Sequence, residues 1–135
     1  MQIVPYLSFG GKCRDAFAFY QSVLGGEITH MIAARGTPAE PHVAPENVDD
    51  IMHARLIGEG FALMGGDAPP SMYQTPAGFS VSLQFDNTDE GKRVFDALAE
   101  GGTIIMPFLA TFWAAGFGMC HDRFGTPWMV NCEIA

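Results

Sequence analysis

His53 and Arg55, two residues apart in the string Met52-His53-Ala54-Arg55-Leu56, are the side chains whose chemistry stands out first. In an extended strand alternate side chains share a face, so this pair points the same way. An imidazole that titrates near neutrality suits a general base, or a hydrogen-bond donor to a bound substrate, and His53 is the candidate catalytic residue. His121-Asp122 is the other histidine beside an acid, but neighbours on a strand face opposite sides and cannot cooperate directly. His30 and His42 lack the carboxylate or cysteine spacing of ligand sets, although His42 lies between Glu40 and Glu46. Asp67 and Arg123, close to glycines, read as turn residues that make structural hydrogen bonds or salt bridges.

A second group could contact a ligand without reacting with it. Phe112, Trp113 and Phe117, interleaved with Gly116 and Gly118, would form a stacking wall or a flexible lid. Met64, Met129 and Trp128 would give a pocket an apolar, adaptable floor. Cys13, Cys120 and Cys132 contain no C-x-x-C pair and are odd in number, so they are expected to be reduced core residues. Several nucleotide and hydrolase motifs are missing. Gly10-Gly11-Lys12 lacks the spacing and following hydroxyl of a phosphate loop, no G-x-S-x-G occurs, and the Gly58–Gly66 glycines sit in a hairpin, not in a dinucleotide-binding turn from strand to helix.

These residues must be held by short elements. Ile3–Phe9 is rich in strand formers and ends at Gly10-Gly11. Within Cys13–Leu24, Ala16, Phe17, Phe19, Tyr20, Val23 and Leu24 recur at helical spacing, and Gly25-Gly26 ends the run. Glu27–Ala34 reads as a strand, followed by a long loop to Asp50. Ile51–Ile57 and Phe61–Gly66, separated by Gly58-Glu59-Gly60, read as a hairpin. The proline-containing stretch that follows Asp67 reads as a linker.

The plan then repeats. Phe79–Phe85 reads as a strand, Thr88 as an N-cap, and Val94, Phe95 and Leu98 as the buried stripe of a second helix. Sliding the sequence by 76 residues superposes Leu7 on Leu83, Phe9 on Phe85, Phe19 on Phe95, Gly25-Gly26 on Gly101-Gly102 and Ile28 on Ile104. A slide of 65 superposes Gly60 on Gly125 and Met64 on Met129. The expectation is an α+β fold: one domain of two βαβββ repeats, about 1–67 and 78–135, joined by a linker at 68–77. Each repeat forms a half-barrel of mixed strands with a helix outside and a ligand surface inside.

The strings Tyr6-Leu7-Ser8-Phe9-Gly10-Gly11, Val23-Leu24-Gly25-Gly26, Leu63-Met64-Gly65-Gly66-Asp67 and Asp122-Arg123-Phe124-Gly125-Thr126-Pro127-Trp128-Met129-Val130-Asn131 resemble the PhnB-like branch of the vicinal-oxygen-chelate superfamily, the glyoxalase/bleomycin-resistance/dioxygenase group. Its members often carry a 3-demethylubiquinone-9 3-methyltransferase label. The resemblance covers nearly the whole chain and implies paired βαβββ modules, a homodimer and, in catalytic members, one divalent metal in the half-barrel. It places the first-strand ligand near Pro5, its counterpart near Ser80 and the last-strand carboxylate at Met129. Proline and methionine offer no hard donor and a lone serine is weak, so the standard metal site is expected to be absent and no cofactor is predicted.

Fifteen acidic and seven basic residues give a net charge of -8, which disfavours nucleic acid and anionic lipid. No apolar run is long enough to span a membrane. The expected protein is a cytoplasmic homodimer binding a small molecule through Met64, Ser80, Phe112, Trp113, Phe117 and Met129. The rival is a metal-dependent lyase, isomerase or dioxygenase with a non-standard site that includes His53. A third expectation is a purely structural scaffold.

Overall fold

The computed structural model describes residues 1–134, and two runs of strand, helix and three strands follow one another along them. The first run is β1 (Tyr6–Phe9), α1 (Cys13–Leu24), β2 (Glu27–Ala33), β3 (Ile51–Gly58) and β4 (Phe61–Asp67). The second is β5 (Val81–Phe85), α2 (Thr88–Ala99), β6 (Thr103–Leu109), β7 (Ala114–His121) and β8 (Pro127–Glu133). The sheets run β1-β4-β3-β2 and β5-β8-β7-β6, each with its first strand parallel to its last and the other neighbours antiparallel. The expected fold is therefore observed, with the two compact units dividing at Gln74 and Thr75.

In the first unit α1 packs Ala16, Phe17, Tyr20 and Val23 onto Leu7, Phe9, Ala54, Leu56 and Leu63, all buried. Phe17 meets Phe9 edge-on at 6.3 Å and Tyr20 at 5.9 Å. Full burial of each such ring contributes ~1.5–3 kcal/mol. In the second unit α2 lays Val94, Phe95 and Leu98 against Trp128, Val130 and Cys132. That helix sits so close that a Cβ on Gly91 would lie 2.6 Å from the Cys132 sulfur, which explains a glycine inside a helix.

The helix starts are solved differently. Asn87, not Thr88, caps α2: its extended backbone lets Oδ1 accept from the Glu90 N–H at 3.0 Å, while Thr88 is already helical. Lys12 begins α1 with no side-chain cap. There Asp67, at the end of β4, accepts from the N–H groups of Gly11 at 2.9 Å and Cys13 at 3.0 Å, and from that of Ile51 at 2.8 Å. The structural role read for Asp67 is the one observed.

Strand ends also move. β1 begins at Tyr6, because residues before it have no ladder partner beyond the Pro5 carbonyl, which accepts from Met64 N–H at 3.0 Å. β5 likewise begins at Val81, the first residue in register with β8. The long loop contains two single 3₁₀ turns, Glu40–His42 and Pro45–Asn47, and an exposed Arg35–Asp49 ion pair at 2.7 Å.

Candidate functional site

Each sheet has one face covered by its helix and one free of it, and strand alternation assigns the candidate side chains to the free faces. In the first unit, Tyr6 pairs with Met64 across β1 and β4, and Met64 pairs with Arg55 across β4 and β3. Arg55 and His53 then pair with His30 and Ile32 of β2. The His53 ring lies between two others: Tyr6 stacks at 5.9 Å with an interplanar angle of 19°, and His30 stands at 5.7 Å. Tyr6 donates to the Met52 carbonyl at 3.3 Å. A Cβ on Gly66 would lie 3.0 Å from that hydroxyl and 2.7 Å from that carbonyl, so glycine clears the path of the phenol. Burial, with a smaller contribution from Cys13, holds the Tyr6 phenol above its ordinary value.

His53 makes no hydrogen bond or ion pair to a carboxylate among the described residues, so it lacks the orienting acid that usually accompanies a general base. His30, set aside on spacing alone, is brought to His53 by the β2–β3 register, and its Nδ1 is 2.9 Å from the Thr29 hydroxyl.

In the second unit the free face carries Ser82 and Gln84 on β5, Met129 and Asn131 on β8, Phe117 and Met119 on β7, and Met106 on β6. Gln84 Nε2 donates to Ser82 Oγ at 2.8 Å, and Asn131 Nδ2 donates to Gln84 Oε1 at 2.8 Å. Asn131 Oδ1 is buried and accepts no hydrogen bond among the described residues. Trp113 meets Phe112 edge-on at 4.8 Å and Phe117 at 5.4 Å. Phe112 is 91% exposed and Trp113 48%. Ser80 is half-buried, one residue before β5.

The two faces are position-for-position equivalents. Tyr6 and Ser82 both pair with the methionine of the last strand, Met64 and Met129. His53 lies opposite Gly66 by extension of its ladder, as Phe117 lies opposite Asn131, so the candidate base of one unit corresponds to an apolar ring in the other. His30 corresponds to Met106, and Arg55 to Met119, by the same pairings.

Other expectations need correction. Trp128 does not share a floor with Met129: it is on the helix side of β8, fully buried, and donates to Asp122 at 2.8 Å. Gly116 and Gly118 give no flexible lid. A Cβ on Gly116 would collide with Phe108, and one on Gly118 would stand 2.7 Å from Phe95, so these glycines admit core rings. Arg123 donates to the Glu100 carbonyl at 3.2 Å, a structural contact.

The donor set at the positions implied for a metal does not fit one. Pro5 offers only its carbonyl, already used by Met64, and Met129, paired with Ser82 and Met119, offers only a soft thioether. No cluster of three or more His, Cys, Asp or Glu side chains suited to a metal occurs among the described residues. The cysteines are free and buried. Burial pushes the Cys13 thiol up to about 12 and the Cys120 thiol to about 11, which makes both poor nucleophiles.

Paired βαβββ units with helices on one side of each sheet define the glyoxalase/bleomycin-resistance architecture. Solved proteins named as glyoxalase/bleomycin resistance/dioxygenase from Nocardioides and glyoxalase-related enzyme from Fulvimarina pelagi share this fold, with TM-scores of 0.59 and 0.62 at 17% and 16% identity. The chain belongs to the family described as 3-demethylubiquinone-9 3-methyltransferase, whose model matches residues 1–131. It is 41% identical to protein YjdN of Escherichia coli K12, over 97% of this chain and 95% of that protein. The crystal structure of PA1353 from Pseudomonas aeruginosa is similar at 50% identity and a TM-score of 0.91, covering 98% of both chains. A PhnB protein from Bacillus cereus, described as a putative 3-demethylubiquinone-9 3-methyltransferase, follows at 26% identity and 0.80, covering 98% of this chain and 100% of that one. No described helix is long and apolar enough to cross a membrane.

Proposed function

We propose that the protein is a cytoplasmic, homodimeric small-molecule-binding protein that works without the metal centre of catalytic relatives. The observation that carries this reading is the Phe112, Trp113 and Phe117 stack, two of whose rings stand exposed beside a sheet face lined by Met129, Met119 and Ser82. Solvent-facing rings beside a face that combines Met119 and Met129 with the polar Ser82, Gln84 and Asn131 suit an amphipathic ligand held by stacking and adaptable packing. The family's methyltransferase description finds no support in the chain's own residues, because the Gly10-Gly11 turn from β1 into α1 lacks the G-x-G-x-x-G spacing of a nucleotide-binding turn.

The two tryptophans give the test, because Trp128 is fully buried while Trp113 is half exposed. In a screen of compact amphipathic molecules, a binder should quench Trp113 emission and raise the melting temperature. At 100 times its dissociation constant the added stability is ~2.7 kcal/mol. Trp113→Ala should weaken that binder at least ~10-fold, equivalent to ~1.4 kcal/mol, with a smaller effect on the free protein. A broad screen without a single binder ends the reading.

The competing enzyme is favoured by one observation, the 5.7 Å approach of His30 and His53. Elemental analysis of the same samples separates the two. About one transition metal per chain, lost in His53→Ala, would replace the binding reading with a metal-dependent lyase, isomerase or dioxygenase. Self-association is supported by β6, an edge strand that exposes Ile104, Ile105 and Leu109. Sedimentation equilibrium should return twice the chain mass; a monomer at every concentration removes the dimer.

A further inference from the structure

The first unit contains a cavity of about 510 Å³ where the loop after β2, the start of β3 and the segment leaving β4 come together. That is within the range of volumes that take small ligands. Its walls are largely apolar, with Ala34, Val43, Ile51, Met52 and Pro69 among them. Its charged lining is wholly acidic: Asp50 and Asp67 border it, and no lysine or arginine does.

The two acids differ. Both Asp67 oxygens are occupied by the N–H groups of Gly11, Cys13 and Ile51. Asp50 takes one hydrogen bond, from Asn47 Nδ2 to Oδ2 at 3.0 Å, and forms no ion pair among the described residues. The loop's arginine, Arg35, is committed to Asp49 by contacts of 2.7 and 2.9 Å. A half-buried carboxylate with an open oxygen, set in an apolar cavity without a counter-ion, is complementary to a cation carried on an apolar body.

We propose that this cavity binds a compact organic cation, a protonated amine on a small apolar or aromatic body, with the ammonium at Asp50 and the body against Val43, Ile51 and Met52. His42 and Ser71 stand on the same lining and give the rim polar contacts. The site is separate from the sheet-face reading and does not rest on it.

Methionine methyl NMR tests the proposal with phenethylamine and its uncharged counterpart 2-phenylethanol as probes. Met52 lines the cavity and Met129 lies on the free face of the second sheet, so the two resonances report the two places separately. Phenethylamine should shift the Met52 methyl, leave Met129 unmoved, and bind at least ~10-fold more tightly than the alcohol. Asp50→Asn, which keeps an acceptor for Asn47, should reduce the amine to the alcohol's affinity while leaving the other methyl resonances in place. Equal affinity for the two probes, undiminished binding by Asp50→Asn, or no shift at Met52 would overturn the proposal. A shift confined to Met129 would overturn it too, while supporting the sheet-face reading.

Discussion

Asp122→Ala is expected to destabilise the protein by ~3–5 kcal/mol, the largest effect of any single polar substitution considered for this chain. The carboxylate is 4% exposed and accepts from Phe124 N–H at 2.8 Å, Thr126 N–H at 3.1 Å and Trp128 Nε1–H at 2.8 Å. Alanine would strand these donors in a region where Thr126 and Trp128 are themselves buried and water cannot readily replace the acceptor. The carboxylate also sets the turn joining β7 to β8, reinforced by the Asp122 N–H donating to the Thr126 carbonyl at 3.0 Å. Urea unfolding should show the midpoint falling with little change in slope. Asp122→Asn, which retains an acceptor, should fall between wild type and alanine. A loss below ~1 kcal/mol would mean that the turn forms without this acceptor.

Asp67→Ala is the second, at ~2–4 kcal/mol. One carboxylate here joins three elements, because its acceptor oxygens serve the start of α1 through Gly11 and Cys13 and the start of β3 through Ile51. The expected effect is smaller than that of Asp122 because the site is only partly buried and water can recover part of the loss. The consequence is local as well as global. Amide exchange should accelerate at Cys13 and Ile51 before it does at buried Val130, which belongs to the other unit. Unchanged protection at Cys13 would show that α1 starts without this cap. The second helix needs no such partner, since Asn87 caps it from the adjacent position.

The repeat was readable because it is written in side-chain type. The 76-residue slide that aligns Leu7 with Leu83 also aligns β2 with β6, and the 65-residue slide that aligns Met64 with Met129 aligns the residues that pair with Tyr6 and Ser82. Both slides describe one architecture because the loop between the second and third strands is long in the first unit and short in the second. That His53 and Arg55 share one strand face could be read from alternation alone.

The neighbours of those residues could not be read in this way. Tyr6 and His30 stand 47 and 23 positions from His53 and meet it only through strand pairing, which includes register shifts between Ile28 and His30 and between Ile32 and Ala33. The Ser82, Gln84 and Asn131 chain likewise needs the parallel β5–β8 register. Gly116 and Gly118 look like flexibility in one dimension and prove to be clearance for Phe108 and Phe95 in three.

By itself the amino-acid order determined the duplicated βαβββ plan and the buried stripes of both helices, because periodicity and side-chain chemistry are local properties. Only the tertiary structure decided that Asp67 caps a helix more than fifty residues away, that Trp128 reaches Asp122 from the helix side of its sheet, and that Asp50 opens onto a cavity with no lysine or arginine in its lining. Those outcomes depend on register, loop path and the remaining demand of each polar atom for a partner, and these are set only when distant segments meet.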